Sequence, residues 1–282
     1  MPDSLPDALP TALPVALQQL EARLLQAVRD IGPTVVAFSG GVDSSLVAVA
    51  AGRALPRADV LLATADSASL ASGELDDCRQ LAAEWDLPWV AVRTDELSDP
   101  RYLANEGDRC YWCKTSLMDQ IGPLAAERAA TPTLGVNVDD LGDHRPGQRA
   151  AAERGARFPL VEAGLAKAEI RALAKHWGIR VWDRPAMPCL SSRVPYGTAI
   201  TVPLLSKVDR AEAALRARGL NDVRVRHYGD TARIEVPAAD VGRVALDAEA
   251  IDRDLRAVGY RYVTLDLAGL RSGNLNGALS GS

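Results

Sequence analysis

The chain has 282 residues, 48% apolar and 24% charged, with a formal net charge of −5. That is enough chain and enough apolar content for two globular units, and the acidic balance argues against nucleic acid as a partner, because such binding rests on Lys and Arg neutralising phosphates. No charged-then-apolar leader opens the sequence and no apolar run is long enough to span a bilayer, so the expectation is a cytoplasmic protein with no membrane partner.

Pro2, Pro6, Pro10 and Pro14 prevent a continuous helix at the start, and residues 1–16 are read as a flexible arm. Leu17 to Ile31 has helical spacing. Thr34-Val-Val-Ala-Phe38 is a short β-branched run of the kind found in buried parallel strands. Strand signals follow at Val60–Thr64, Trp89–Val92 and Thr133–Val136. Helical signals lie between them at Leu46–Leu55, Glu74–Trp85 and, after a cysteine-bearing segment, Thr115–Arg128. Strands alternating with helices predict an α/β fold with a doubly wound parallel sheet, assigned to residues 17–195. The pattern changes near Tyr196. A helix over Leu204–Arg218 is stopped by Gly219. Val223–Tyr228 and Ala232–Val236 flank Gly229-Asp230, a hairpin signal; helix over Ala238–Val258 and a last strand over Tyr260–Leu267 complete a second, smaller α/β domain at 196–271. Residues 272–282 are rich in Gly, Ser and Asn and read as a mobile tail.

Two features carry chemistry. The first is Ser39-Gly40-Gly41-Val42-Asp43-Ser44-Ser45, placed between a strand and a helix. Glycines admit a close backbone approach, the helix start offers unpaired N–H groups, and the serines add hydroxyl donors, which together suit phosphate. Asp43 fits such a site only with Mg2+ between it and the phosphate. The string has neither the Gly-Lys-Ser/Thr ending of a Walker loop nor a dinucleotide fingerprint, and a plain helix-capping turn remains the bland alternative. It resembles the PP-loop of ATP pyrophosphatases (adenine nucleotide alpha hydrolase-like folds). That resemblance implies ATP gripped by its pyrophosphate while a substrate carboxylate or carbonyl attacks the α-phosphate. It also implies adenine over the first two strand ends, near Ala37, Phe38, Thr64, Ala65 and Ser67.

The second feature is cysteine. Cys110-Tyr-Trp-Cys113 is a Cys-x-x-Cys pair between Arg109 and Lys114, and Cys189 lies in Met187-Pro-Cys-Leu-Ser-Ser-Arg193. In a reducing compartment such a pair speaks for metal or redox chemistry more than for a structural disulfide. Three thiolates are one short of a closed structural Zn2+ site and suit an iron–sulfur cluster with one open iron. A redox dithiol, or inert packed thiols, are the alternatives. Cys78, on a helix beside Asp76 and Asp77, is read as structural.

The loop and the cysteines, together with Gly135-Val-Asn-Val-Asp-Asp-Leu-Gly-Asp-His-Arg-Pro-Gly147, Glu162-Ala-Gly-Leu165, Pro188-Cys-Leu-Ser-Ser-Arg193 and Arg224-Val-Arg226, make the chain similar to the LarE family of sulfur transferases from about Leu17 to Asn276. The resemblance implies adenylation of a carboxylate of pyridinium-3,5-biscarboxylic acid mononucleotide and its conversion to a thiocarboxylate, in the biosynthesis of the nickel-pincer nucleotide of lactate racemase. In one kind of member the cysteine at the position of Cys189 gives up its own sulfur. In the other, that cysteine and a Cys-x-x-Cys pair hold a [4Fe-4S] cluster, and this chain carries both elements. The implied cofactors are ATP, Mg2+ and the cluster; the implied partners are a small nucleotide substrate, sulfide or another sulfur donor, and further copies of the chain. The implied metal ligands are Cys110, Cys113 and Cys189, with Asp43 as a further catalytic residue. Ser39, Gly40, Gly41, Asp43, Ser44, Ser45, Phe38, Thr64, Ser67, Asn137 and Asp140 stand as nucleotide contacts, with Asp139 beside them as a Mg2+ or ribose candidate. Arg193, Arg224, Arg226 and Glu235 stand as substrate contacts, with Glu212 as a second carboxylate and His144-Arg145 as a further pair. Arg224 and Arg226 fall on one strand face, where two guanidiniums repel unless an anion lies between them. A tRNA thiolase with a cluster, and a non-catalytic nucleotide sensor, are the competing functions; the first needs basic RNA-binding surface, the second needs no cysteines.

Overall fold

A computed structural model of the protein describes residues 14–142 and 146–271. Its elements in chain order are α1 (Val15–Ile31), β1 (Thr34–Ala37), α2 (Val42–Ala54), β2 (Val60–Asp66), α3 (Glu74–Glu84), β3 (Trp89–Arg93), α4 (Pro100–Leu103), α5 (Arg109–Glu127) and β4 (Thr131–Leu134). These are followed by α6 (Pro146–Ala152), α7 (Pro159–Glu162), α8 (Lys167–His176), α9 (Val202–Ala217), β5 (Arg224–Tyr228), β6 (Thr231–Glu235), α10 (Val241–Leu246), α11 (Ala248–Val258) and β7 (Tyr262–Leu265). Most of the arm, the tail and the His144-Arg145 pair lie outside the described residues.

β1 to β4 form one parallel sheet in the order β3-β2-β1-β4. Alternate side chains of a strand point to opposite faces, and both faces are covered. Val36 and Leu62 pack with Leu24 and Val28 of α1, Leu46 of α2, Leu81 of α3 and Leu173 of α8. Val35, Leu61 and Ala63 face Leu117 and Ile121 of α5. Burial on both sides is why β1 reads as an unbroken apolar run instead of an alternating one.

The second sheet has the order β5-β6-β7, with β5 antiparallel to β6 and β7 parallel to β6. Gly229 adopts φ +61°, as a two-residue hairpin turn requires. Val225, Ala232 and Ile234 meet Ala211 and Leu215 of α9 and Ile251 and Leu255 of α11 in a separate core. Tyr102, Leu190, Val194, Leu205 and Val208 form a smaller apolar cluster that joins the segment around Cys189 to α4 and α9.

Two boundaries differ from expectation in ways that matter for the site. α2 starts at Val42, so Asp43, Ser44 and Ser45 lie in its first turn and not in a preceding loop. α5 starts at Arg109, six residues before the expected start, so Cys110 and Cys113 are helical residues about one turn apart rather than members of a loop. The indole N–H of Trp112 donates to Asp108 Oδ2 at 2.8 Å and pins that first turn.

Candidate functional site

The Ser39–Ser45 turn is closed by its own side chains. The Ser39 N–H donates to Ser44 Oγ at 3.2 Å, the two hydroxyls lie 3.1 Å apart, and the Ser44 hydroxyl donates to the Gly41 carbonyl at 3.1 Å. Gly40 adopts φ +69°, a region open to glycine without steric cost. The guanidinium of Arg184 donates to the Gly40 carbonyl at 3.2 Å. The turn leads straight into α2, whose first N–H groups have no partner within the helix. Two polar atoms here are buried without a partner among the described residues: Ser45 Oγ and Asp43 Oδ1. A buried orphan costs about 1–3 kcal/mol, and a donor or cation arriving with a ligand would remove that cost.

The other oxygen of Asp43, Oδ2, lies 2.5 Å from Nζ of Lys167, the first residue of α8. Burial raises the Asp43 carboxyl above its ordinary value; Lys167 pulls it back, and the charge of nearby Asp140 adds to the rise. Asp140 Oδ2 accepts the Asn137 N–H at 3.1 Å, and the buried Asn137 Oδ1 is a third orphan. Asp139 accepts the Lys167 N–H at 2.8 Å and so caps α8. Gly135, at the end of β4, presses on the same helix start: a Cβ there would sit 2.6 Å from Ser44 N.

Of the residues expected near adenine, Phe38 is buried edge-on against Trp85, and the Thr64 hydroxyl accepts from the Trp89 indole at 2.9 Å. Both side chains are committed to packing. The Ser67 hydroxyl lies 2.8 Å from that of Ser69. Cys78 is buried directly beneath Gly40, and burial pushes its thiol up to about 11, consistent with a packed, unreactive sulfur.

The segment carrying Cys189 is strapped from three sides. Leu190 N–H donates to the Ser69 carbonyl at 2.8 Å, beyond β2. From the α4–α5 corner, the Tyr102 and Ser191 hydroxyls lie 2.6 Å apart, Arg109 donates to the Ser191 carbonyl at 2.9 Å, and the Asn105 amide donates to the Pro195 carbonyl at 2.8 Å. From β5, Arg226 donates to the Ser192 carbonyl at 2.6 Å. These straps bring Cys189 into the electrostatic range of Cys110, Cys113 and Arg109. Burial raises the Cys189 thiol and Arg109 pulls it down; burial and then the neighbouring Cys189 raise Cys113. Among the described residues, no group of three or more His, Cys, Asp or Glu stands close enough together to hold a metal ion. The donor types, three thiols with the Arg109 guanidinium to balance anionic sulfur, are of the kind a cluster with three thiolate ligands uses, although the described thiols do not close on a single ion. Asp43, with an orphaned buried oxygen beside a phosphate-type turn, likewise fits a Mg2+ contact.

The arginines divide differently from expectation. Arg226 is neutralised by Glu235, with Nε 2.9 Å and Nη2 2.8 Å from Oε2, and Arg233 Nη2 donates to the other carboxylate oxygen at 2.8 Å. Arg226 thus has its counter-charge within the sheet, while its repulsion of Arg224 persists. Arg193 forms a two-pronged pair with the fully buried Glu212 at 2.8 and 3.1 Å and donates to the Pro188 and Cys189 carbonyls. It positions the cysteine segment. Arg224 is buried too, but among the described residues it forms no ion pair and donates only to the Ala186 carbonyl, at 3.1 Å. Burial, Arg193 and Arg226 all lower its pKa, and Glu235 and Glu212 partly offset them.

Arg109, the cation flanking the cysteine pair, lies beside Cys189; three further residues at this site carry no signal in the sequence: Lys167 on Asp43, Arg184 on Gly40, and Glu74. The Glu74 carboxyl feels Arg193, Arg216, Glu212 and Arg184, between the turn and the cysteine segment, and burial pushes it up to about 7. None belongs to a short motif with a recognisable signature.

No family model matches the chain. Over 261 residues it is 44% identical to an uncharacterized protein of Synechocystis sp., covering 91% of this chain and 97% of that protein. It is 38% identical over 261 residues to the pyridinium-3,5-bisthiocarboxylic acid mononucleotide synthase of Lactiplantibacillus plantarum, covering 92% and 95%. An uncharacterized protein of Methanocaldococcus jannaschii matches at 25% over 239 residues, covering 84% and 90%.

Proposed function

The chain belongs to the LarE family of sulfur transferases, and on that premise we propose that it is an ATP-dependent, AMP-forming sulfurtransferase acting on pyridinium-3,5-biscarboxylic acid mononucleotide. A substrate carboxylate oxygen attacks the α-phosphorus of ATP, the α–β P–O bond breaks, and pyrophosphate leaves. Sulfide then attacks the acyl carbon, AMP leaves with the acyl C–O bond pair, and a thiocarboxylate remains. The product is a step toward a nickel-pincer nucleotide.

The observation that carries the reading is the meeting of the strapped Cys189 segment with a buried Arg224 that has no ion pair among the described residues. A phosphate on Arg224 would anchor a mononucleotide beside the sulfur centre, the guanidinium fork matching phosphate oxygens. The Ser39–Ser45 turn would receive the pyrophosphate of ATP, and Asp43 would hold Mg2+ to offset phosphate charge. A [4Fe-4S] cluster held by Cys110, Cys113 and Cys189 would supply exchangeable sulfide. Arg109 would then neutralise anionic sulfur, and Arg193 would hold the Cys189 backbone against Glu212. In this reading residues 17–195 bind ATP and 196–271 bind the substrate.

The test is mass spectrometry of nucleotide and protein after anaerobic incubation with iron, sulfide, ATP and Mg2+. Oxygen replaced by sulfur in the substrate over many turnovers, with AMP released and protein mass unchanged, is expected. Conversion of Cys189 to dehydroalanine after one turnover would show that the sulfur is sacrificial; no AMP in the presence of substrate would overturn the whole reading.

A further inference from the structure

Lys167 and Asp43 are 124 residues apart and meet at 2.5 Å beside the phosphate-type turn. Their side chains are 36% and 23% exposed, so water or a ligand can reach the pair. The Lys167 backbone is fixed, because its N–H is held by Asp139 and it opens α8. A lysine side chain is a flexible four-carbon stem, so its ammonium can change partner while the backbone stays in place. Asp43 and Asp140 face Lys167 and Arg171, and Asp139 adds a third carboxylate at the Lys167 N–H. One Asp43 oxygen is satisfied by the ammonium while the other is buried and bare. An ammonium and a divalent cation compete for the same carboxylate, and an ammonium is also a good point-charge partner for phosphate.

We propose that Lys167 is an exchangeable counter-ion: it neutralises Asp43 in the empty protein, and yields Asp43 to the divalent cation that arrives with ATP, moving its own charge onto a phosphate oxygen. The inference rests on reading the turn as an ATP site. Lys167 therefore has opposite effects on the two ligands. It weakens binding of a bare cation and strengthens binding of the cation–nucleotide pair. A purely structural lysine would move both affinities the same way or neither.

The experiment titrates nucleotide-free protein with Mn2+, followed by electron paramagnetic resonance, and separately measures Mg2+–ATP binding by calorimetry. Lys167→Met and Lys167→Gln are expected to bind Mn2+ about tenfold more tightly and Mg2+–ATP about tenfold more weakly than wild type, the scale of one charge-assisted contact. Lys167→Arg stays near wild type in both, and adding Asp43→Asn to Lys167→Met abolishes the Mn2+ gain. Parallel changes in both affinities, or no change in either, overturn the inference while leaving the ATP site standing. Failure of the wild type itself to bind Mg2+–ATP removes the ATP site, and Lys167 with it.

Discussion

At the scale of single residues, Glu74 makes the sharpest prediction. It opens α3 and accepts no hydrogen bond among the described residues, although Arg193, Arg216 and Arg184 lie in range. Burial outweighs their pull, and the carboxyl rises from an ordinary 4.5 to about 7. The folded state thus holds a proton that the unfolded chain releases. Stability from this group is intact below about pH 4.5, falls as pH rises toward 7, and is constant above that. Glu74→Gln keeps the shape and cannot ionise. Its denaturation midpoint in urea should exceed the wild-type value at pH 8, and the gap should close near pH 4.5. A pH-independent gap would show that the carboxyl titrates normally. The same residue marks the limit of reading the site from sequence. The serines, glycines and cysteines announce themselves because their chemistry is written in short contiguous strings. Glu74, Arg184 and Lys167 acquire meaning only from neighbours brought in by folding. Arg226 shows the converse: its motif is visible in the sequence, but the carboxylate that balances it comes from the hairpin's other strand.

At the scale of elements, strand and helix alternation up to β4 was legible because buried parallel strands leave β-branched runs and their covering helices leave 3.6-residue spacing. The start of α5 was not. Cys, Tyr and Trp are indifferent helix formers, and the first turn is held by the tertiary environment, including the Trp112–Asp108 bond. α8 carries Ile170, Leu173 and Ala174 at helical spacing, and all three are buried. What no local pattern reveals is how tightly β4 closes on α2. A Cβ on Gly135 would lie 2.6 to 2.9 Å from backbone atoms of Asp43 and Ser44. Those atoms belong to the helix start and cannot rotate aside, so Gly135→Ala must push β4 and α2 apart. Overpacking costs about 1–3 kcal/mol, and backbone contact places this change at the upper end. We expect a lower melting temperature together with weakened ATP binding. Ala tolerated with neither effect would show that the two elements are loosely apposed.

At the scale of the whole molecule, the question is what holds the second sheet to the cysteine segment. Glu212 is the centre of that junction. It is fully buried on α9, takes two bonds from Arg193 and one from Arg216 at 2.8 Å, and accepts the Val225 N–H of β5 at 3.0 Å. Arg193 in turn holds the carbonyls of Pro188 and Cys189. One carboxylate therefore fixes a helix, a strand and the segment bearing the candidate sulfur ligand. Removing one member of a buried pair leaves the other charge uncompensated and costs about 3–5 kcal/mol, whereas replacing both with apolar groups of similar size is often neutral. Glu212→Ala should therefore destabilise the protein by about that amount in urea unfolding, and Arg193→Met combined with Glu212→Leu should recover most of the loss. The double variant separates stability from chemistry. It restores the packing without the bonds to Pro188 and Cys189, so sulfur transfer should stay impaired after the fold is rescued. If activity returns with stability, the arginine serves only the fold, and the position of Cys189 is set by the straps from Ser69 and Arg109.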